Sequence, residues 1–218
     1  LGAGRWPGID DDADHVFGDR EVWRDMAYET RPTLVGDIAI GYAVSDDRKW
    51  ITFAAAQRTS TGRIHLEVGY HEAPTPAAAD RLIALVLRLD PCALVARAAP
   101  APAATLRTPL LAASLEPEEL TGPQYVEACG GMYDDAVNGL LSHSDDPRMN
   151  AAVDGAFSKL PGAVWQARTG GVISPLEAAT CARQGLLIYG GLIGAPLGPA
   201  GDETYQDDDE FSVFDAAF

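Results

Sequence analysis

Hydrophobic residues in the first third of the chain follow the alternation and short apolar runs that are typical of β-strands. Residues 38–44 form a continuous apolar run, which predicts a buried central strand. Residues 50–57 form a second apolar stretch, and residues 63–71 alternate between apolar and polar side chains. The segment 59–62 between these two stretches has the length of a hairpin turn. We therefore expect three strands in an antiparallel meander.

The third predicted strand distributes its side chains over two faces. One face carries Ile64, Leu66, Val68 and Tyr70, and the other carries His65, Glu67 and His71. Six residues of extended chain separate the two histidines by about 20 Å. The pattern therefore places both histidines on one face of the sheet, too far apart to bind the same metal ion.

Beyond residue 74 the hydrophobic period lengthens to that of helices, with short strands between them. A helix with Leu82, Leu85 and Leu89 on one face begins near Thr75. Further helices are predicted over residues 101–113, 124–141, 148–158 and 175–189, and short strands over 92–96, 115–120 and 164–167. At the start of the last helix, Ser174 and Glu177 have the spacing of a capping box, which predicts Ser174 as the N-cap and Glu177 as its partner.

This order of elements predicts an α/β fold: a mixed sheet of a three-stranded antiparallel meander plus parallel strands, with helices on both faces. It is the RNase H-like topology. Residues 37–192 are expected to form this domain. Residues 1–36, with one short helix over 20–28 that carries Trp23, are expected to form a linker, and residues 193–218 an acidic tail.

Charge narrows the functions that the chain can have. The formal net charge is −16 and the isoelectric point is near 4.4. Nucleic-acid binding relies on Lys and Arg to neutralise phosphates, so binding of DNA by the isolated chain is doubtful. The two ends hold many of the acids, and the part between them is far less acidic. No apolar run has the length or continuity of a membrane span, and no signal peptide is visible.

Five segments, in this order along the chain, resemble the C-terminal, RNase H-like nuclease domain of large terminase subunits from tailed phages. They are Trp6-Pro7-Gly8 with Glu21-Val22-Trp23, residues 40–50, residues 62–68, residues 128–137 with His143 and Asp146-Pro147, and residues 173–179. The resemblance implies an endonuclease that cuts concatemeric DNA with two Mg²⁺ or Mn²⁺ ions held by carboxylates. It also implies phage packaging or capsid proteins as partners, and a location in the bacterial cytoplasm or the phage particle.

The acids that this family uses are missing from the positions that match its motifs. Ala43 stands in the first strand, Val172 stands just before the last helix, and the segment around Ala98 contains Arg97 and no acid. A cation there would repel metal ions. Weak alternative ligands are Asp46 in a turn, Glu67 on the third strand and Asp135 on the long helix.

Three functions remain open from the sequence. The first is a catalytically inactive relative, with no cofactor, that binds proteins of the phage particle or the packaging complex. The second is an active or engineered-inactive two-metal endonuclease, which would need Mg²⁺ or Mn²⁺. The third is another RNase H-like protein that shares only the fold.

Overall fold

A six-stranded mixed sheet forms the centre of the computed structural model, which describes residues 15–191. Its strands are β1 (Leu34–Val44), β2 (Ile51–Thr59), β3 (Ile64–Glu72), β4 (Ala93–Arg97), β5 (Glu118–Leu120) and β6 (Leu141–His143). Their order in the sheet is β5-β4-β1-β2-β3-β6. A separate ribbon joins β7 (Ala156–Phe157) to β8 (Gln166–Ala167). The predicted 164–167 strand therefore lies outside the main sheet.

Within residues 15–191, six helices accompany the sheet, together with a 3-10 turn at Pro102–Leu106. They are α1 (Arg20–Arg24), α2 (Pro76–Leu89), α3 (Arg107–Ala112), α4 (Gly122–Val137), α5 (Pro147–Asp154) and α6 (Ser174–Tyr189). The helix predicted over residues 20–28 is shorter than expected, and the one predicted over 101–113 divides into the 3-10 turn and α3. In the described part of the chain, no helix is long and apolar enough to cross a membrane.

The pairing of the strands confirms the predicted fold class. β1, β2 and β3 form the antiparallel meander, while β4 pairs with β1, β5 with β4, and β6 with β3 in parallel. One face of the sheet packs against α4, α5 and α6, and the other against α2 and α3. Burial of both faces explains why the first strand reads as a continuous apolar run instead of an alternating one.

Helix α6 lies so close to β1 that the strand needs a glycine at the crossing. A Cβ atom on Gly41 would lie 2.0 Å from the carbonyl oxygen of Ala178 and 2.5 Å from the amide nitrogen of Ala182. No side chain can be accommodated at that distance. This close packing places the first turn of α6 beside the carboxyl end of β1.

A β-bulge in β3 corrects the predicted alternation. Phe53 pairs with Tyr70 and Ala54 with Val68, which leaves Gly69 as the extra residue. Tyr70 therefore stacks on Phe53 in the α2 face, with ring centroids 4.7 Å apart, whereas Leu66 and Val68 belong to the α6 face. The prediction of one shared face for His65 and His71 was wrong, because the bulge reverses the side-chain direction between them.

The segment before β1 packs onto the domain through aromatic rings. Phe17 stacks on Trp23 at 5.4 Å between centroids, and Trp23 stacks on His143 at 3.9 Å. The indole N–H of Trp23 donates to Asn150 of α5. Trp23 is buried as part of the core. Trp6 and the predicted acidic tail lie outside the described residues.

Candidate functional site

The cleft that matters for function lies where three elements meet. Strands β1 and β4 run in parallel and end side by side, and α6 begins next to them. In open α/β sheets, ligands bind outside the carboxyl ends of the strands, where the connections diverge to opposite sides. Here β1 continues to β2 on one side, and β4 lies on the other. The fold therefore places a site at Ser45, Arg97 and the first turn of α6.

An ion pair crosses this cleft. The Nη1 atom of Arg97, at the end of β4, donates to the Oε1 atom of Glu177 in the first turn of α6 at 2.5 Å. The guanidinium also lies over the ring of Tyr125, with Cζ 4.3 Å from the centroid. Glu177 is 5% exposed, whereas a third of the Arg97 side chain (33%) reaches solvent. The cleft thus holds a fixed cation whose partner is buried.

The environment of Glu177 weakens its carboxylate as a metal ligand. Burial raises the pKa of Glu177 to about 7; the positive charge of Arg97 opposes this shift, and the negative charge of Asp46 adds to it. Burial thus favours the protonated form of this carboxyl group, and its bond to the Arg97 guanidinium uses the charge of the ionised form. Both effects leave little negative charge for a divalent ion.

Ala43 lies beneath a row of hydrogen-bonded polar side chains. It pairs with Thr52 of β2, which in turn pairs with His71 of β3. The Oγ1 atom of Thr52 lies 2.7 Å from Nδ1 of His71 and 3.0 Å from Oγ of Ser174. Trp50 stacks on the His71 ring at 4.7 Å. The polar atoms of Thr52, His71 and Ser174 thus bond to one another, and none of the side chains in this row is acidic.

The predicted capping box at the start of α6 was wrong. Ile173 is the N-cap and Ser174 is already in the helix. Ser174 binds Thr52, and Glu177 binds Arg97 instead of capping the helix. Tertiary partners outcompete the local cap because both side chains are buried, and each must find a hydrogen bond there.

Two of the three alternative acidic ligands lie away from the cleft. Glu67 is on the opposite face of the sheet, where its Oε1 atom lies 3.5 Å from Nε2 of His65. Asp135 of α4 accepts from Nε of Arg183 at 2.7 Å. Asp46 is the exception: it is exposed in the β1–β2 turn at the rim of the cleft.

Two cavities open on either side of Asp46. The smaller, of about 250 Å³, is lined by Ser45, Val172 and Glu177 among others. The larger, of about 450 Å³, is lined by Arg97, Ala98 and Tyr125 among others. Two of the three positions that the sequence analysis matched to the family's acids thus line neighbouring cavities, while Ala43 is buried.

These residues do not fit a pair of Mg²⁺ or Mn²⁺ ions. Such ions take oxygen ligands, several of them carboxylates. Within residues 15–191, no group of three His, Cys, Asp or Glu side chains is placed to share a metal ion. The acids at the cleft are Glu177, which is committed to Arg97, and the exposed Asp46 and Asp47. The resident guanidinium would repel a dication across a few ångströms.

The sequence analysis missed the Arg97–Glu177 pair and the Thr52–His71–Ser174 row. The sequence holds a signal for the pair, since Arg97 follows a short predicted strand and Glu177 lies in the first turn of the predicted last helix. The row could not have been found, since the bulge at Gly69 that turns His71 toward α6 has no clear signal besides the glycine itself.

Comparisons with known proteins identify the fold. No protein-family model matches the sequence, and no curated protein matches it either. Among solved structures, the large terminase of bacteriophage HK97 superposes with a TM-score of 0.59 at 11% identity, over 77% of this chain and 43% of the HK97 chain. The chain thus spans less than half of that relative.

The large terminase nuclease from thermophilic phage G20c matches along nearly its full length. It superposes with a TM-score of 0.57 at 16% identity, over 81% of this chain and 99% of that chain. The same nuclease with bound magnesium gives 0.55 at 17% identity, over 81% and 97%. The described chain therefore has the RNase H-like fold of large-terminase nuclease domains.

Proposed function

We propose that this chain is a terminase-type nuclease domain without nuclease activity. In this proposal it acts as a protein-binding module of a phage particle or packaging complex. In this proposal residues 37–192 are the module, flanked by a linker (1–36) and an acidic tail (193–218). Its place of action is the host cytoplasm or the particle. The carrying observation is the Arg97–Glu177 ion pair in the cleft.

The ion pair supports inactivity for an electrostatic reason. Two-metal nucleases stabilise the attacking and leaving oxygens with dications that clustered carboxylates hold. In this cleft the guanidinium of Arg97 stands where such a cluster would need negative charge, and it pairs with the buried acid Glu177. Ala43, Ala98 and Val172 supply no ligand at the positions that match the family motif. A dication in this cleft would lack the negative charge that offsets its loss of hydration.

Charge also supports a protein partner over DNA. The net charge of −16 opposes the approach of a uniformly charged phosphate backbone, whereas a protein partner can match the local charges of one surface patch. Many of the acidic residues lie at the two ends of the sequence. The charge argument against DNA binding therefore applies to the whole chain more than to its central part. The HK97 and G20c proteins are terminases, which favours partners from phage packaging for this chain as well.

Plasmid cleavage tests this proposal. We expect the full chain to leave supercoiled DNA uncut in the presence of Mg²⁺ or Mn²⁺, with the G20c nuclease as the positive control. The variant A43D/R97A/A98D/V172D restores acids at the three matched positions and removes the cation. Its Mn²⁺ affinity should rise above that of R97A alone, and cleavage by the unmodified chain would contradict the proposal.

The second candidate is an active two-metal endonuclease, which the magnesium- and cobalt-bound structures of the G20c nuclease favour. It would require Arg97 to leave Glu177 when metal binds. In that case E177Q and D46N would each abolish metal-dependent cleavage, while D135N, away from the cleft, would not. The cleavage assay with these three variants separates the two candidates.

A further inference from the structure

The larger of the two cavities, here called the Arg97 pocket, has the form of a binding site. Its volume is about 450 Å³, which lies within the range of small-ligand pockets. The loop after β4 forms one wall, and the first turns of α4 form the other. Arg97 reaches into it from the end of β4. The pocket opens to solvent beside the cleft already described.

The walls of the Arg97 pocket are mostly apolar. Ala98, Pro100, Leu120 and Val164 contribute to them, and Val126 of α4 is 47% exposed although it is a large aliphatic residue. Apolar walls gain free energy when they are covered by other apolar groups and not by phosphates or sugars. This lining therefore favours an occupant with an apolar body.

The polar part of the pocket is suited to an anion. Among residues 15–191, Arg97 is the one basic residue that lines it. Its Nη1 atom binds Glu177, and within the described residues its Nε and Nη2 atoms make no hydrogen bond. The start of the sixteen-residue helix α4, at Gly122, adds the positive end of a helix dipole. Asp46 also lines the pocket and opposes an anion, but it is exposed, so solvent screens its charge.

We propose that the Arg97 pocket binds an acidic, apolar peptide segment of a protein partner. A carboxylate of the peptide pairs with the Nε–H and Nη2–H groups of Arg97, which make no hydrogen bond to any described residue, and an apolar side chain covers Val126 and Val164. The inference rests on the proposed protein-binding function and gives it a location. A single guanidinium between apolar walls matches one carboxylate, whereas a DNA strand would present several phosphates to one cation.

Nuclear magnetic resonance with a pair of small probes tests this site without divalent metal. N-acetyl-phenylalanine carries a carboxylate on an apolar body, and its neutral amide is the matched control. The free acid should shift the Arg97 Nε–H signal and the backbone amides of Gly122 and Val126, with a roughly millimolar Kd. The neutral amide should bind at least about tenfold more weakly, as the loss of one charge-assisted pair implies.

Three variants sharpen the test. R97Q should reduce affinity for the free acid about tenfold, and D46N should raise it about two- to threefold by removing the opposing charge. R107Q, whose arginine pairs with Glu119 outside the pocket, should change nothing. The amide spectrum of each variant reports whether it is folded, and the comparison of acid with neutral amide on the unmodified chain needs no variant at all.

Equal binding of the two probes, or unchanged affinity in R97Q, would overturn the proposal. So would a short DNA duplex that shifts the same signals in an Arg97-dependent way, because the pocket would then read a phosphate. Cleavage activity plays no part in this readout. A failure here therefore leaves the inactive-nuclease proposal standing, and DNA cleavage by the chain would leave the pocket result intact.

Discussion

At the scale of single residues, Arg97 and Glu177 determine what the cleft can do. Arg97 is long enough to reach from the end of β4 across to α6, and its planar guanidinium binds a carboxylate and an aromatic face together. Glu177 is buried on the first turn of α6. Removing one partner of such a pair leaves the charge of the other uncompensated. Replacing either residue alone should therefore destabilise the folded protein.

Glu177 makes the stability of the fold depend on pH in a defined direction. Its pKa in the folded protein is about 7, above the ordinary value of 4.5, so the folded state holds the proton more tightly than the unfolded chain does. The resulting stabilisation is complete below about pH 4.5 and is lost as the pH rises through 7. The size of the effect is about 3 kcal/mol.

We predict that the E177Q variant lacks this pH dependence. The difference in unfolding free energy between wild type and E177Q, from urea denaturation at several pH values, should fall by up to about 3 kcal/mol between pH 4.5 and 8. D135N serves as the comparison, since Asp135 of α4 pairs with Arg183 of α6 and not with Arg97. A difference that instead grows with pH would mean that Arg97 lowers the pKa of Glu177.

The sequence pattern correctly predicted that Ser174 and Glu177 lie at the start of the last helix. It did not predict which side chains they bind. Ser174 and Glu177 fit the local rule for a capping box, and that rule failed because each side chain has a buried tertiary partner. The acids Glu67 and Asp135 could not be excluded by sequence alone. Which face of the sheet Glu67 occupies becomes clear only from the pairing of β3 with β2.

At the scale of elements, the contact between β1 and α6 holds the cleft together. The helix packs along β1, β2 and β4, and its start supplies Ser174 and Glu177. Gly41 in β1 and Gly185 in α6 both allow close approach, with Val95 Cγ2 only 2.6 Å from a Cβ placed on Gly185. Small residues at a helix–sheet contact thus set the geometry of the site.

We predict that G41A is severely destabilising. The added Cβ would meet backbone atoms of α6 at 2.0 and 2.5 Å, which only a shift of the helix can relieve. The expected cost is about 3 kcal/mol, as for overpacked cores, measured by thermal or urea denaturation. G122A is the control, because nothing lies within 4 Å of its Cβ, and it should stay within about 1 kcal/mol of wild type. Equal stability of both variants would contradict the observed packing.

The elements themselves were largely predictable. The meander, α2, β4 and the last helix follow from hydrophobic period, proline position and turn length. The boundaries of these elements and the bulge at Gly69 were not predictable. One extra residue in a nine-residue strand hardly changes the hydrophobic pattern of that strand. The parallel pairing of β6 with β3 depends on contacts distant in sequence, which a local pattern does not contain.

At the scale of the whole molecule, the fold and the cleft support different conclusions. The fold is that of terminase nuclease domains, one of which binds magnesium and cobalt. The described cleft offers an ion pair, an alanine beneath a hydrogen-bonded row, and two consecutive exposed acids, Asp46 and Asp47, in the β1–β2 turn. A scaffold can persist while its site changes, because folding depends on the buried faces of the sheet and chemistry depends on a few side chains.

Crystals of the full chain soaked in manganese test the central claim most directly, through the anomalous scattering of Mn²⁺. The account predicts no anomalous peak between Ala43, Ala98 and Val172, and an intact Arg97–Glu177 pair. Two peaks about 3.5–4 Å apart at that place, with Arg97 displaced from Glu177, would contradict it.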